Sequence, residues 1–329
     1  MPELRFNPLL RDWTIVASNR QHRPHLQNKE CPFCPGSGKV PDEYTVYMLD
    51  NDFPALTPDP DESALINSDL YQAKKAYGKC EVILYSSDHH QSLAQLTVAH
   101  IQELIELWAL RFSQLAGEPE VQYILIFENR GEEVGVTMTH PHGQIYAYSQ
   151  MPLKIRRELE SCQLHYTETG KCLLCEMNEE EKREGERLVI ENNHFLAYIP
   201  YFTDYPYGVF IVSKSHKTAI SDFNEAEKKS LATILKQTTG AMDELFARPF
   251  PYMMVMHQRP VNGEDVEDFY HFHIEFYPPL VENYKLKHYA SSEMGAWAVI
   301  NPKAVEETAP ELREAVEQYR RKYEQEDEK

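Results

Sequence analysis

Long apolar runs are missing from this chain: no stretch approaches the 18 or more consecutive apolar residues that a membrane-spanning helix requires. Residues 1–20 mix apolar and polar types and include Arg5, Arg11 and Asp12, so they lack the apolar core of a secretory signal, and a cytoplasmic location is expected. Positive charge is scarce too. Lysine plus arginine number 33 against 52 aspartate plus glutamate, a formal net charge of −19, and a surface of that sign repels polyanions, which argues against extended nucleic-acid binding. A few arginines gathered in one cleft still suffice for a small phosphorylated ligand. Six cysteines are too few for a disulfide scaffold of 329 residues. Four of them form the Cys-x2-Cys pairs Cys31/Cys34 and Cys172/Cys175, which read better as metal ligands; Cys80 and Cys162 stand alone and read as ordinary buried thiols.

What the chain does contain is one pattern written twice. Cys-Pro-Phe-Cys at 31–34 is echoed by Cys-Leu-Leu-Cys at 172–175, and Asn51-Asp52-Phe53 by Asn193-His194-Phe195. A strand-like run at 82–89, ending in His89, recurs at 209–216, ending in His216, and each is followed by a stretch of helical periodicity, 98–115 and 224–245. Last, His140-x-His142-x-Gln144-x-Tyr146 is matched by His271-x-His273-x-Glu275-x-Tyr277. The order is kept throughout. The expected fold is α+β, two tandem units at about residues 1–153 and 154–329, each a mainly antiparallel sheet with a helix packed on it. The charged tail from Glu306 predicts a solvated helix that frays at its end.

A strand puts residues i and i+2 on one face, so His140, His142, Gln144 and Tyr146 form a cluster, stiffened by Pro141. Cys31 and Cys34 sit in a Pro/Gly-rich turn that can aim two thiolates at one ion, and the repeated frame supplies His89 and His140 to complete a tetrahedral zinc site. Cys172, Cys175, His216 and His271 offer the same set in the second copy, without the Pro/Gly turn. With His140 on metal, His142 keeps a held backbone and a ring that is a competent nucleophile near neutral pH. A phosphoryl centre is its natural target, given Gln144, Thr137 and the backbone of 131–135 as donors and Arg20 and Arg23 as added charge.

His140-Pro141-His142-Gly143-Gln144, preceded by Phe127-Glu128-Asn129-Arg130-Gly131 and Gly135, resembles the active-site signature of the galactose-1-phosphate uridylyltransferases, a family of the histidine-triad superfamily. The resemblance covers nearly the whole chain and makes both units histidine-triad-like, the first catalytic, the second structural and hexose-contacting. It implies His142 as the nucleophile on the α-phosphate of UDP-glucose, Gln144 on the phosphate, Asn51, Asp52 and Phe53 at base and ribose, Asn129 and Thr137 near the phosphates, and Arg20 and Arg23 on the substrate. Uridylyl-His142 would then pass its group to galactose 1-phosphate in a ping-pong cycle. Superfamily hydrolases carry a third histidine where this chain has Gln144, which cannot protonate a leaving group, so transfer is favoured over hydrolysis. Lys287 and Glu293 match a hexose-binding stretch that reaches into a partner subunit's site, which implies a homodimer. A further family metal site implies Glu158, His257 and His273 as ligands, and whether the second half uses these or the Cys172/Cys175/His216/His271 set stays open. Val136 and Ser292 depart from the usual cysteine and tyrosine, and the second Cys-x2-Cys is more like ADP-glucose phosphorylases, leaving an adenylyl-transferring or phosphorolytic enzyme as the alternative. A catalytically silent zinc-stabilised binding protein is a third reading, against which His142 and Gln144 count. With Glu275 in the glutamine position, the second half is expected to be silent, one active site per chain.

Overall fold

The structure, a computed structural model, describes residues 2–22, 31–60 and 68–323. In chain order the elements are β1 (Glu3–Asn7), β2 (Asp12–Val16), β3 (Tyr47–Asp50), β4 (Ala73–Lys75), β5 (Gly78–Leu84), α1 (Val98–Ala116), β6 (Tyr123–Arg130) and β7 (His142–Tyr148). There follow α2 (Leu153–Thr169), α3 (Leu173–Glu184), β8 (Leu188–Glu191), β9 (Phe195–Tyr198), β10 (Phe210–Ser213), α4 (Glu225–Leu245), β11 (Tyr252–His257) and β12 (His273–Tyr277). A short hairpin, β13 (Leu280–Glu282) and β14 (Lys285–Leu286), leads to α5 (Ser291–Ala296) and α6 (Val305–Tyr323).

Nine strands form one antiparallel sheet in the order β3-β5-β7-β6-β11-β12-β10-β9-β8. Read outward from its centre, β6-β7-β5-β3 on one side answers β11-β12-β10-β9 on the other, so the sequence repeat is a two-fold pattern about the β6/β11 seam. The α+β character is as expected, but the two halves do not keep separate sheets. Tyr252 to Met256 pair with Arg130 to Ile126, and each half thereby satisfies the backbone edge that the other would leave open.

The period of two along the strands sorts core from chemistry. On β7, Ile145 and Ala147 join the main core, with Ile124 and Ile126 of β6 and Ile274 and Phe276 of β12. Helices α1 and α4 lie over that face. In α1, Ile101, Leu104, Ile105, Trp108, Phe112 and Leu115 recur at helical spacing and are buried, and Thr97 caps the first turn. In α4, Asn224 and Glu227 cap each other reciprocally. His142, Gln144 and Tyr146, and likewise His273, Glu275 and Tyr277, stand at the intervening positions on the opposite face.

Gly143 is required by this arrangement: a Cβ there would lie 2.2 Å from the Tyr85 hydroxyl and 2.9 Å from the Phe127 carbonyl oxygen. The tail departs from expectation. Helix α6 buries Val305, Ala309, Leu312, Val316 and Tyr319, an apolar stripe at spacings of three and four that its more numerous charges conceal. Tyr319 packs into the space that Gly240 of α4 leaves, where a Cβ would meet its ring at 2.2 Å, and its hydroxyl donates to the Ala94 carbonyl at 2.6 Å. Residues 324–329 lie outside the described residues. Cys80 and Cys162 are buried, and among the described residues no helix is long and apolar enough to cross a membrane.

Glu128 on β6 is a buried carboxyl in this core. Tyr252 donates to its Oε1 at 3.2 Å, while Oε2 has no hydrogen-bond partner among the described residues. Burial pushes its pKa up to about 7, against the opposing pull of Arg130. A raised carboxyl pKa means that the unfolded chain ionises first, so this group costs stability as pH rises from about 4.5 to 7. Glu128→Gln is therefore expected to gain on the parent chain by on the order of 2 kcal/mol between pH 5 and pH 8. Urea unfolding at the two pH values measures this, and an equal difference at both would contradict it.

Candidate active site and metal centres

The turn carrying Cys31 and Cys34 lies against β7 and the loop after β5, and it gathers Cys31, Cys34, His89 and His140 so that one donor atom of each falls within 4.8 Å of every other. Cys34 Sγ is 3.4 Å from His89 Nδ1 and 3.7 Å from His140 Nδ1, and the two Nδ1 atoms are 3.3 Å apart. A tetrahedron with metal–sulfur bonds of about 2.3 Å and metal–nitrogen bonds of about 2.05 Å has edges of about 3.5 and 3.3 Å, which these distances match. The outer ring nitrogens are also engaged. His140 Nε2 donates to the Ser86 carbonyl at 2.8 Å, and His89 Nε2 lies 2.9 Å from Thr139 Oγ1. Such contacts hold the tautomer whose Nδ1 lone pair faces the thiolates. Burial pushes the His140 pKa down to about 4, which keeps the ring in the neutral form that binds metal. Tyr44, which the sequence did not single out, supports the turn by donating to the Phe33 carbonyl at 2.6 Å, with its oxygen 3.1 Å from His140 Nε2.

Two residues on, His142 Nδ1 lies 2.8 Å from the His140 carbonyl oxygen. Because that oxygen can only accept, Nδ1 carries the proton and Nε2 the lone pair. His142, Gln144 and Thr137 line two adjoining clefts. One, of about 370 Å³, is walled by Phe33, Leu49, Asn51, Asp52, Phe53 and Val82; the other, of about 190 Å³, by Arg20, Phe127, Asn129, Gly135 and Tyr146. Gln144 Oε1 accepts from Asn51 Nδ2 and from the Tyr146 hydroxyl, both at 3.3 Å, which leaves the amide NH2 as its donor end. Arg20 Nη1 donates to the Tyr146 oxygen at 2.9 Å and so belongs to the same chain of contacts. Asn51 Oδ1 accepts from the Phe53 amide at 2.9 Å, shaping that turn. Asp52 is ion-paired with Lys39, a residue that sequence reasoning passed over because its partner lies 13 positions away. Arg23 lies outside the described residues. Lys287 and Glu293 do not line either cleft in the single chain. Glu293 caps α5 from within, accepting from the Ala290 amide at 3.2 Å.

In the second half both ligand sets that the sequence left as alternatives assemble, at separate places. Cys175 Sγ is 3.5 Å from His216 Nδ1 and 3.4 Å from His271 Nδ1, and Cys172 Sγ is 3.6 Å from His271 Nδ1, the same tetrahedral edges again. His271 Nε2 donates to the Ser213 carbonyl at 3.0 Å and His216 Nε2 to that of Glu267 at 2.6 Å. Glu158, His257 and His273 meet elsewhere, joined by Glu275, which sequence reasoning had placed only in the glutamine position. His273 repeats the hydrogen bond of His142, Nδ1 to the His271 carbonyl at 3.0 Å, but its Nε2 lies 3.3 Å from Glu275 Oε1. Where the first half offers an amide, the second offers a carboxylate, and that carboxylate closes on the ring. A cavity of about 430 Å³ opens beside this cluster, walled by Leu173, Leu174, Phe210 and Tyr270.

Residues 1–152 match the family model described as galactose-1-phosphate uridyl transferase, N-terminal domain, and residues 158–320 match its C-terminal domain. A galactose-1-phosphate uridylyltransferase from Thermotoga maritima is 43% identical over 95% of this chain and 98% of its own. A solved structure described as "Structure of uridylyltransferase" superposes with a TM-score of 0.88 at 32% identity, covering 96% of this chain and 99% of the other. An ADP-glucose phosphorylase from Arabidopsis thaliana with bound ADP-glucose shares the fold, at a TM-score of 0.75 and 23% identity over 95% of this chain and 99% of the other.

The two cysteine-histidine groups share no residue, so they should load independently. Cys34→Ser is expected to remove one equivalent of bound metal per chain and Cys175→Ser a different one, as counted by plasma mass spectrometry on the dialysed protein. Either substitution emptying both would contradict two separate centres.

Proposed function

The chain belongs to the galactose-1-phosphate uridylyltransferase family and transfers a uridylyl group from UDP-glucose to galactose 1-phosphate, and from that premise we propose that the group is carried on His142. The observation that carries this reading is the 2.8 Å hydrogen bond from His142 Nδ1 to the His140 carbonyl, which leaves the lone pair on Nε2 of a residue that lines both clefts. The larger cleft, with its apolar walls and with Asn51, Asp52 and Phe53, suits the nucleoside. The smaller polar one, with Arg20, Asn129 and Thr137, suits the departing and arriving hexose phosphates.

In the first half-reaction Nε2 attacks the α-phosphorus, a P–N bond forms, the bond from that phosphorus to the bridging oxygen breaks, and glucose 1-phosphate leaves with the electron pair. In the second, a phosphate oxygen of galactose 1-phosphate attacks the same phosphorus and the P–N bond breaks, giving UDP-galactose and restoring His142. The leaving group is a phosphate monoester whose second pKa is about 6, so it needs no proton donor and Gln144 suffices as a hydrogen-bond donor to the nonbridging oxygens. Glu275, standing where Gln144 stands in the other half, would repel those oxygens. Residues 1–153 are accordingly read as the catalytic unit, and 154–329 as the unit for structure and hexose contact.

Zinc is the ion that the two thiolate-imidazole tetrahedra suit, held by Cys31, Cys34, His89 and His140 and by Cys172, Cys175, His216 and His271. Its contribution is to cross-link these segments. Glu158, His257, His273 and Glu275 offer oxygen and imidazole donors and suit a harder divalent cation. A homodimer completes the reading. Lys287 is buried against the Tyr205 and Tyr289 rings, its Nζ without a hydrogen-bond partner among the described residues, and large apolar side chains stay exposed at Tyr201, Phe202, Met294, Trp297 and Ile300. Both features suit a surface covered by a second copy, with Lys287 and Glu293 directed to the neighbour's hexose.

Incubated with UDP-glucose alone, the protein is expected to gain the mass of one uridylyl group per chain by intact mass spectrometry in mild base. The adduct should be lost on adding galactose 1-phosphate and absent from His142→Ala; an adduct that survives in that variant would sink the assignment. The dimer is tested by mixing two inactive variants, His142→Ala and Lys287→Ala, unfolded and refolded together. If the lysine serves its neighbour, random pairing restores about a quarter of the parent activity. If it serves its own chain, nothing returns.

A further inference from the structure

The larger cleft beside His142 has a charged pair in its wall that uridylyl transfer itself does not use. Lys39 and Asp52 are ion-paired through Nζ and Oδ2, and both line this cleft, whereas neither lines the smaller one. The pair joins two segments of the wall. Lys39 rides on the cysteine turn, where Ser37 Oγ donates to the Pro32 carbonyl at 2.8 Å and accepts from the Lys39 amide at 3.3 Å, so its backbone is tied to the segment that carries Cys31 and Cys34. Asp52 follows β3 and lies between Asn51, whose Nδ2 reaches Gln144, and Phe53, whose amide donates to Asn51 Oδ1.

With side chains 30% and 57% exposed, this ion pair contributes little to folding stability. Its effect is on the cleft. An unpaired Asp52 would present a carboxylate to a ligand that carries a diphosphate, in a chain whose formal charge is already −19, and like charges repel. The ammonium offsets that charge and holds Oδ2, while Oδ1, which no hydrogen bond among the described residues engages, is left to accept. A carboxylate oxygen only accepts, so its match on a nucleoside is a hydroxyl or an N–H. The ribose hydroxyls are the donors that stay near the mouth when a base enters between Phe33, Leu49, Phe53 and Val82, and Asp52, more than half exposed, stands at the mouth.

We infer that Lys39 is a specificity-determining residue: by holding Asp52 in place it makes the cleft select a ribonucleotide donor over its deoxy counterparts. A site built to hydrogen-bond a substrate hydroxyl discriminates against the analogue that lacks it, provided the acceptor is held where the hydroxyl arrives. Lys39 is thus a positioning residue that acts through Asp52, itself steadied by the Phe33 ring, whose centroid lies 5.5 Å from Nζ. This rests on reading the larger cleft as the nucleoside's, and the test separates the two statements.

The test measures kcat and KM with UDP-glucose and with its 2′-deoxy and 3′-deoxy forms, for the parent chain, Lys39→Met, Lys39→Gln, Lys39→Arg, Asp52→Asn and Lys39→Met/Asp52→Asn. Methionine keeps an apolar stem beside Phe33, and glutamine is the second neutral variant should methionine disturb the cysteine turn, which metal content and circular dichroism check. The parent is expected to prefer UDP-glucose over at least one deoxy form by about tenfold or more in kcat/KM. Both neutral variants should reduce that preference to about twofold by raising KM for UDP-glucose, with kcat within about twofold of the parent, and Lys39→Arg should retain most of it. In the Asp52→Asn background the methionine substitution should change nothing further. A loss shared equally by all three donors overturns the proposal, because it puts the lysine on the phosphates. So does a preference that Asp52→Asn abolishes but the neutral variants at 39 leave intact, an outcome that keeps the nucleoside reading of the cleft. A parent that does not discriminate at all overturns the ribose reading of Asp52, and the proposal with it.

Discussion

The carbonyl and the ring of His140 belong to one residue, and each fixes a different thing. The ring faces two thiolates and a second imidazole, with its far nitrogen donating to Ser86; the carbonyl accepts from His142. Whatever immobilises the ring also immobilises the peptide that selects the His142 tautomer. Pro141 lies between them and narrows the backbone's freedom at that step. Phe33, from the middle of the cysteine turn, packs against both imidazoles, with ring centroids 6.1 Å from His140 and 5.9 Å from His142. The cysteine turn and the strand that carries His142 are therefore packed together, and the hydrogen bond that leaves the lone pair on Nε2 lies within that packing.

The second half runs the same scaffold to a different end. Its sheet order, its cysteine-histidine tetrahedron and even the hydrogen bond from the second histidine to the carbonyl of the first are repeated. The divergence is one functional group, amide to carboxylate, at Gln144 and Glu275. An amide can donate to a phosphate oxygen; a carboxylate accepts only, draws in Lys154 and holds a histidine proton. Burial alone would lower the His273 pKa, yet the Glu275 carboxylate overrides it and raises it. A ring held in that way is a poor nucleophile, so the same scaffold offers a free ring nitrogen on one side and a carboxylate-held ring on the other.

Much of this was readable in residue order, because the two governing periods are short. The spacing of two along β7 and β12 placed the histidines with Gln144 and Glu275 on one face, and spacings of three and four marked α1 and α4 nearly to their ends. The Cys-His groups were readable because the pattern occurs twice, so the same four landmarks could be matched. What escaped depends on partners distant in sequence. Tyr44, Lys39 and Lys154 act through contacts that no local pattern announces, and the choice between His271 and His273 as thiolate partner required the sheet register to resolve it. The apolar stripe of α6 was hidden by its charge, and the fusion of two expected sheets into one could not be read from either copy alone, since an open edge looks the same in sequence whether water or another strand covers it.

That seam has a consequence for how the protein is made. Residue 127 pairs with residue 143's neighbour Gln144 as soon as β7 exists, but its other edge waits for residue 255, in the opposite half of the chain. At ribosomal speed the interval is on the order of ten seconds, during which β6 presents an unpaired edge at the middle of what will become the sheet. A newly made N-terminal half thus carries both clefts beside an incomplete surface, and the second copy of the pattern is the strand partner that covers the open edge of the first.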